Sequence, residues 1–168
     1  MKTIDTRDLC TRQQELQDLK AAVENAQESL TEAQDELEQV STSKPAEDES
    51  ALTELEEWET ALQDAQNAVD EAEADHRRAL DDFGDDEQTE LAELDELESE
   101  ISEWRHGETL IPESDFEDYA RQLADDIGAV PDESRWPCAC IDWEWAAREL
   151  AMDYSTVTYQ GTDYLVRS

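Results

Sequence analysis

Apolar residues recur every three or four positions through the first quarter of the chain: Leu9, Leu16, Leu19, Val23, Ala26, Leu30, Ala33, Leu37 and Val40, with Arg12 alone breaking the row. Alternating steps of three and four mark the a and d positions of a heptad repeat. No Gly or Pro falls between residues 8 and 40, and Ala, Leu, Glu and Gln dominate, so one helix of about 50 Å is predicted. Ser41 to Ser50 breaks it, because Pro45 cannot occupy a helix interior and the Ser/Thr cluster favours a turn. A second row follows with the same spacing: Ala51, Leu55, Trp58, Leu62, Ala65, Val69, Ala72, His76, Ala79 and Phe83, with Gly84 as a stop. Two helices of similar length joined by a short loop predict an antiparallel helical hairpin, a coiled coil, over residues 1–84. A two-helix hairpin buries little alone, so a homodimer or docking onto the rest of the chain is expected.

Residues 85–106 read as a third acidic helix or connector, with Leu91, Leu94, Leu97, Ile101 and Trp104 on one side. From Leu94 onward these positions keep register with Phe83, so one bent helix is the alternative. From Gly107 aromatic and β-branched residues rise and Gly and Pro return. Glu113 to Ile127 predicts an amphipathic helix in which Ser114 caps and Glu117 completes a capping box. Its apolar face is Phe116, Tyr119, Ala120, Leu123 and Ile127, and Gly128 ends it. A loop with Pro131 and Pro137 follows, then a short helix capped by Asp142 and running through Ala151. Thr156–Tyr159 and Asp163–Arg167 flank Gln160-Gly161 and predict a β-hairpin. The expected fold is therefore mainly α: a long hairpin plus a small α+β module over 107–168 that ends in a β-hairpin. Trp136, Trp143, Trp145, Tyr154, Tyr159 and Tyr164 are assigned to packing of that module.

Charge changes the picture most. The 168 residues hold 48 Asp and Glu against 12 Lys and Arg, a net charge of −36. Direct nucleic-acid binding and docking on anionic lipid both need Lys and Arg, so neither is expected. There is no run of eighteen apolar residues, so no membrane span is expected. The start, Met-Lys-Thr-Ile-Asp-Thr-Arg-Asp, lacks the apolar core of a secretory leader, and a cytoplasmic protein is the expectation. Cys10, Cys138 and Cys140 are an odd number, and C-x-C is tighter than structural zinc spacing, so no disulfide framework, metal or cofactor is expected. No Gly-rich phosphate loop, nucleophile elbow or zinc-protease motif occurs, and no enzyme is expected. His76-Arg77-Arg78 reads as a local charge patch.

Placement of the acids gives them meaning. Asp18, Glu24, Glu28, Glu32, Asp35 and Glu38 lie off the first row, largely on one outer face. Glu56, Glu57, Asp64, Asp70 and Glu71 do the same on the second. Glu24, Glu28 and Glu32 repeat at i, i+4, where like charges destabilise a helix by a few tenths of a kcal/mol per pair. Residues 8–40 carry −7 and residues 46–83 carry −12. Over about 55 Å a DNA duplex carries roughly 32 charges, so the two helices side by side reach about 60% of its density. Such an object would occupy a basic DNA-binding cleft.

The stretches Asp115-Phe-Glu-Asp-Tyr-Ala-Arg-Gln-Leu-Ala-Asp-Asp-Ile-Gly128 and Ile141-Asp-Trp-Glu-Trp-Ala-Ala-Arg-Glu-Leu-Ala151, then Asp153-Tyr154 and the closing hairpin, resemble the last domain of the ArdA-type antirestriction proteins. They also resemble the ending of small acidic proteins of phages and mobile elements. The likeness covers residues 107–168. It implies an elongated acidic DNA mimic without cofactor, made in a bacterial cytosol, whose partner is a basic DNA-binding protein such as a restriction or other defence nuclease complex. Residues 1–106 depart from that family, with a helical hairpin where compact acidic domains are expected. The expected function is thus non-enzymatic inhibition of a host DNA-binding defence protein. The alternative is an acidic coiled-coil structural or adaptor protein, with low Lys and high acid as salt adaptation.

Overall fold

The computed structural model describes residues 2–45, 52–130, 135, 136 and 138–167. Within them the protein is mainly helical, with a small antiparallel four-stranded sheet. The break at 46–50, Ala51, Pro131 and Pro137 lie outside the described residues. The chain divides into two compact units, one of Met1–Gln14 with Thr89–Ser168 and the other of Glu15–Gln88.

In the second unit the three-and-four spacing governs burial. Helix α1 spans Thr6–Thr42 and α2 spans Leu52–Asp82. From Glu15 to Lys44 and from Leu52 to Asp82, the row positions are buried or half-buried and every other position is exposed. Leu16, Ala65, Phe83 and Leu30 are the most enclosed. The end of α1 meets the start of α2 through the indole of Trp58, whose Nε1–H donates to the Val40 carbonyl at 2.7 Å. The Lys44 ammonium lies 5.7 Å from that ring's centre.

Helix α3 spans Asp85–Glu100 and is separate from α2. Gly84 opens it: its carbonyl accepts from Gln88 N–H at 3.0 Å and its own N–H donates to Glu87 Oε2 at 3.1 Å. That is half of a capping box, and it satisfies one of the backbone N–H groups at the helix start. The chain leaves α3 through tight turns that keep Ile101 and Trp104 buried.

The sheet belongs to the first unit. Strands β1 (Ile4–Asp5), β2 (Thr109–Pro112), β3 (Tyr154–Tyr159) and β4 (Thr162–Arg167) take the order β1-β2-β4-β3. Ile4 pairs with Leu110, Ile111 with Leu165, and Tyr159 with Thr162. Gln160 (φ 48°) and Gly161 (φ 71°) close the β3–β4 hairpin with both central residues left-handed, the combination whose twist suits a two-residue hairpin turn. Helices α4 (Phe116–Asp126) and α5 (Trp143–Leu150) bring Phe116, Ala120 and Ala147 against Ile111 and Leu165. Tyr119, Leu150, Ala151 and Tyr154 border that cluster, and the Phe116 and Tyr154 rings meet edge to face at 5.0 Å.

Several local expectations are corrected. The Ser114 capping box does not form: residues Glu113–Asp115 make a 3-10 turn, Asp115 stands at the N-cap of α4 without a side-chain bond to the helix's own N–H groups, and Ser114 Oγ turns to Asp115 Oδ1. Pro112 enters that turn extended, and the turn's own backbone bond from Phe116 N–H to the Glu113 carbonyl takes the place of a side-chain cap. Glu117 pairs instead with Arg121 at 3.3 Å. Trp136 and Trp145 are not packing residues, being 83% and 58% exposed. Strands β1 and β2 add to the hairpin that the alternation predicts. The Asp142 cap forms, accepting from Trp145 N–H at 3.0 Å. At the end of α4, Gly128 takes φ 70° while Gly128 N–H and Ala129 N–H bond back to Asp125 and Ala124, a Schellman closure.

Candidate acidic interaction surface

Helical phase explains where the eleven candidate acids sit. Each is one or two positions off the apolar row, and a helix turns about 100° per residue. Asp18, Glu24, Glu28, Glu32, Asp35 and Glu38 on α1, and Glu56, Glu57, Asp64, Asp70 and Glu71 on α2, are all exposed. Asp18 has a partner; the other ten carboxylates make no ion pair or hydrogen bond among the described residues. The unit of residues 15–88 holds 25 acidic and four basic residues, a net charge of −21. Of those four bases Arg78 is taken by Asp75 at 2.8 Å.

Two depressions gather some of these acids. A shallow one of about 400 Å³ on α2 is lined by Glu56, Glu59, Thr60, Gln63 and Asp64. Another, of about 360 Å³, has Ala26, Ala33, Ala68 and Ala72 as its floor, with Asn25, Ser29, Glu71 and Asp75 around it. Glu59 joins the candidate set through the first of these depressions, whereas Asp75 in the second is already paired with Arg78. The position of Glu59 off the apolar row was the available signal.

The other unit uses its acids differently. It carries 23 acidic and eight basic residues, a net charge of −15, and many of its carboxylates hold the fold. Arg12 forks onto Glu90, with Nη2 to Oε2 at 2.8 Å. The Gln13 amide donates to Asp95 Oδ1 at 2.8 Å and Glu98 Oε2 at 2.9 Å while accepting from Trp104 Nε1 at 3.1 Å. Glu93 accepts from Gln160 N–H, and Asp163 from the Thr158 hydroxyl. Hydrogen bonds from the Arg7 side chain and backbone hold the Asp5 carboxyl down at about 2.

Reactive groups are dispersed. Cys10 and Cys138 are half-buried free thiols and Cys140 is an exposed one. His76 occupies a half-buried row position, and His106 lies 3.9 Å from Glu103 on an exposed turn. Among the described residues no three His, Cys, Asp or Glu side chains converge to hold a metal ion. No helix among them is long and apolar enough to cross a membrane. What the helical unit offers chemically is fixed, solvated, uncompensated negative charge, suited to ammonium and guanidinium groups.

No protein-family model matches this chain, and neither a curated protein nor a solved structure is similar to it.

Proposed function

We propose that the protein is a non-enzymatic DNA mimic that inhibits a basic, DNA-binding host protein, as an ArdA-type antirestriction protein would. One observation carries the reading: among the described residues ten helical carboxylates face solvent without an ion pair or hydrogen bond, while many acids of the sheet-bearing unit, Glu90 and Asp95 among them, are bound into the fold. Fold stability does not account for the first group, because like charges at i, i+4 oppose the helix. In this reading α1 and α2 run antiparallel as a hairpin. Support comes from the Trp58 to Val40 bond, which joins the end of one helix to the start of the next, and from the strict correspondence of row position and burial. The partner's Lys and Arg would then see an axial charge density approaching that of a duplex, and binding would release counterions as DNA binding does.

The test is capture from a bacterial lysate on the immobilised chain, with elution by salt or by duplex DNA. DNA-binding proteins should be retained, released by DNA, and released progressively over about 0.1–0.5 M salt. Replacing Glu56 and Glu57 by Gln, Asp64 and Asp70 by Asn, and Glu71 by Gln should leave helicity intact. The same change should weaken capture by several kcal/mol if each contact contributes about 1 kcal/mol. A captured partner that duplex DNA cannot displace, or that holds the neutralised variant equally well, would favour the adaptor coiled coil. Salt adaptation predicts instead that the chain unfolds in dilute buffer and folds only near molar salt.

A further inference from the structure

The sheet has two unlike edges. On one side β1 is only two residues long, so little of that edge remains open. On the other, β3 is a full six-residue strand paired on its inner side alone, in unbroken register from Tyr154–Arg167 to Tyr159–Thr162. A two-residue turn makes Tyr159–Thr162 a hydrogen-bonded pair. Alternation then directs the backbone groups of Val157 and Ser155 to β4, and those of Thr158 and Thr156 outward. Both threonines are exposed, and no backbone bond reaches this edge among the described residues. At the strand's start the Tyr154 N–H is turned back onto the Ala151 carbonyl. The open groups are thus the N–H and C=O of Thr156 and of Thr158, a ladder of two donors and two acceptors.

Natural sheets blunt such edges with Lys, Pro, bulges or inward charges, and β3 has none of these. Tyr154 to Thr162 is the longest uncharged stretch of a chain in which 36% of residues are charged. It is bracketed by Asp153 and Asp163, and the Asp163 carboxylate lies on the same face as Thr158, accepting its hydroxyl at 2.8 Å. We propose that the outer edge of β3 docks an extended, basic segment of a partner protein, which adds as a fifth strand to the sheet. Backbone pairing at Thr156 and Thr158 supplies the register, in the manner of β-augmentation. Charge selects the occupant: a second copy would bring another −36, whereas a strand with alternating Lys or Arg meets Asp153 and Asp163 at the two ends. This surface rests on the sheet edge and not on the helical acids, so it stands or falls independently of the mimicry reading.

The probe is a synthetic peptide of alternating Lys and Val, about eight residues long to match a typical strand, together with the same peptide carrying alternate backbone N-methyl groups. Amide hydrogen exchange of the full chain is read by NMR at about 0.15 M salt, where long-range attraction is damped. The unmodified peptide should slow Thr156 and Thr158 exchange at least ~10-fold, and the N-methylated peptide of equal charge should not. Thr156→Pro removes an outward donor that β4 does not use, and Thr156→Lys sets a like charge opposite the peptide; each should weaken peptide binding by about tenfold. Circular dichroism identifies any variant that fails to fold, and the peptide pair on the parent chain decides without it. Equal slowing by both peptides, effects confined to residues 15–88, or slowing that appears with protein concentration alone would overturn the proposal. The last result would assign the edge to a second copy.

Discussion

Gln13 ties α1 to α3, and its removal should be costly. The residue is 3% exposed, and its amide donates to Asp95 and Glu98 while accepting from the indole of Trp104, itself 2% exposed. Gln13→Ala strips both carboxylates of a donor and leaves the Trp104 N–H without an acceptor. A buried donor left unmade costs about 1–3 kcal/mol. The two charge-assisted bonds add about 1 kcal/mol each, at the low end because Asp95 is exposed and Glu98 only half-buried. The expected loss is about 3–5 kcal/mol. With a urea slope of about 2 kcal/mol per molar, the midpoint should fall by roughly 1.5–2.5 M, followed by circular dichroism and tryptophan fluorescence. Gln17→Ala, one turn further along and exposed, should change stability by less than about 0.5 kcal/mol. Gln13→Glu keeps the volume but sets three carboxylates together. Its deficit should be largest at neutral pH and shrink as acid restores a proton to the cluster. A Gln13→Ala variant within about 0.5 kcal/mol of the parent would show that water replaces the amide and that the network holds nothing.

Gly107 adopts φ +96°, a backbone conformation that L side chains rarely take, so Gly107→Ala should cost about 1–3 kcal/mol in the same denaturation assay; Arg7 Nε, 2.7 Å from such a Cβ, ends a flexible exposed side chain that can move aside. Burial, followed by the hydrogen bond with Tyr119 (hydroxyls 3.1 Å apart), pushes the Tyr154 phenol well above its ordinary value of 10.0, and burial also raises Tyr159. Absorbance titration should find these two phenols ionising after ordinary tyrosines, with Tyr119→Phe bringing Tyr154 part of the way back. Because the folded state favours the neutral phenol, this contribution to stability is complete below pH 10.0 and is lost as pH rises through the folded value.

The periodicity of Leu16 to Val40 and Leu55 to Phe83 was enough to name which positions of α1 and α2 turn away from water, because helical phase is a local property with a fixed repeat. The Asp142 cap, the Gly128 closure and the Gln160-Gly161 turn were legible for the same reason: each is settled within a few residues of chain. Exposure of the eleven acids followed from that phase as well. Features made by distant pairs were not legible. Ile4 is a strand residue only because Leu110 lies beside it, and two residues carry no alternation to read. Ser114 had the composition of a cap, yet the extended Pro112 and the 3-10 turn took over the helix entrance. Trp136 and Trp145 had the chemistry of core residues, yet the folded chain leaves them exposed. Separating bound acids from bare ones also required the tertiary structure, since the donors that engage Glu90 and Asp95 come from Arg12 and Gln13, 78 and 82 residues away. Local spacing could put a carboxylate on a helix face, but whether a cation or amide meets it there depends on which distant segment the fold brings alongside.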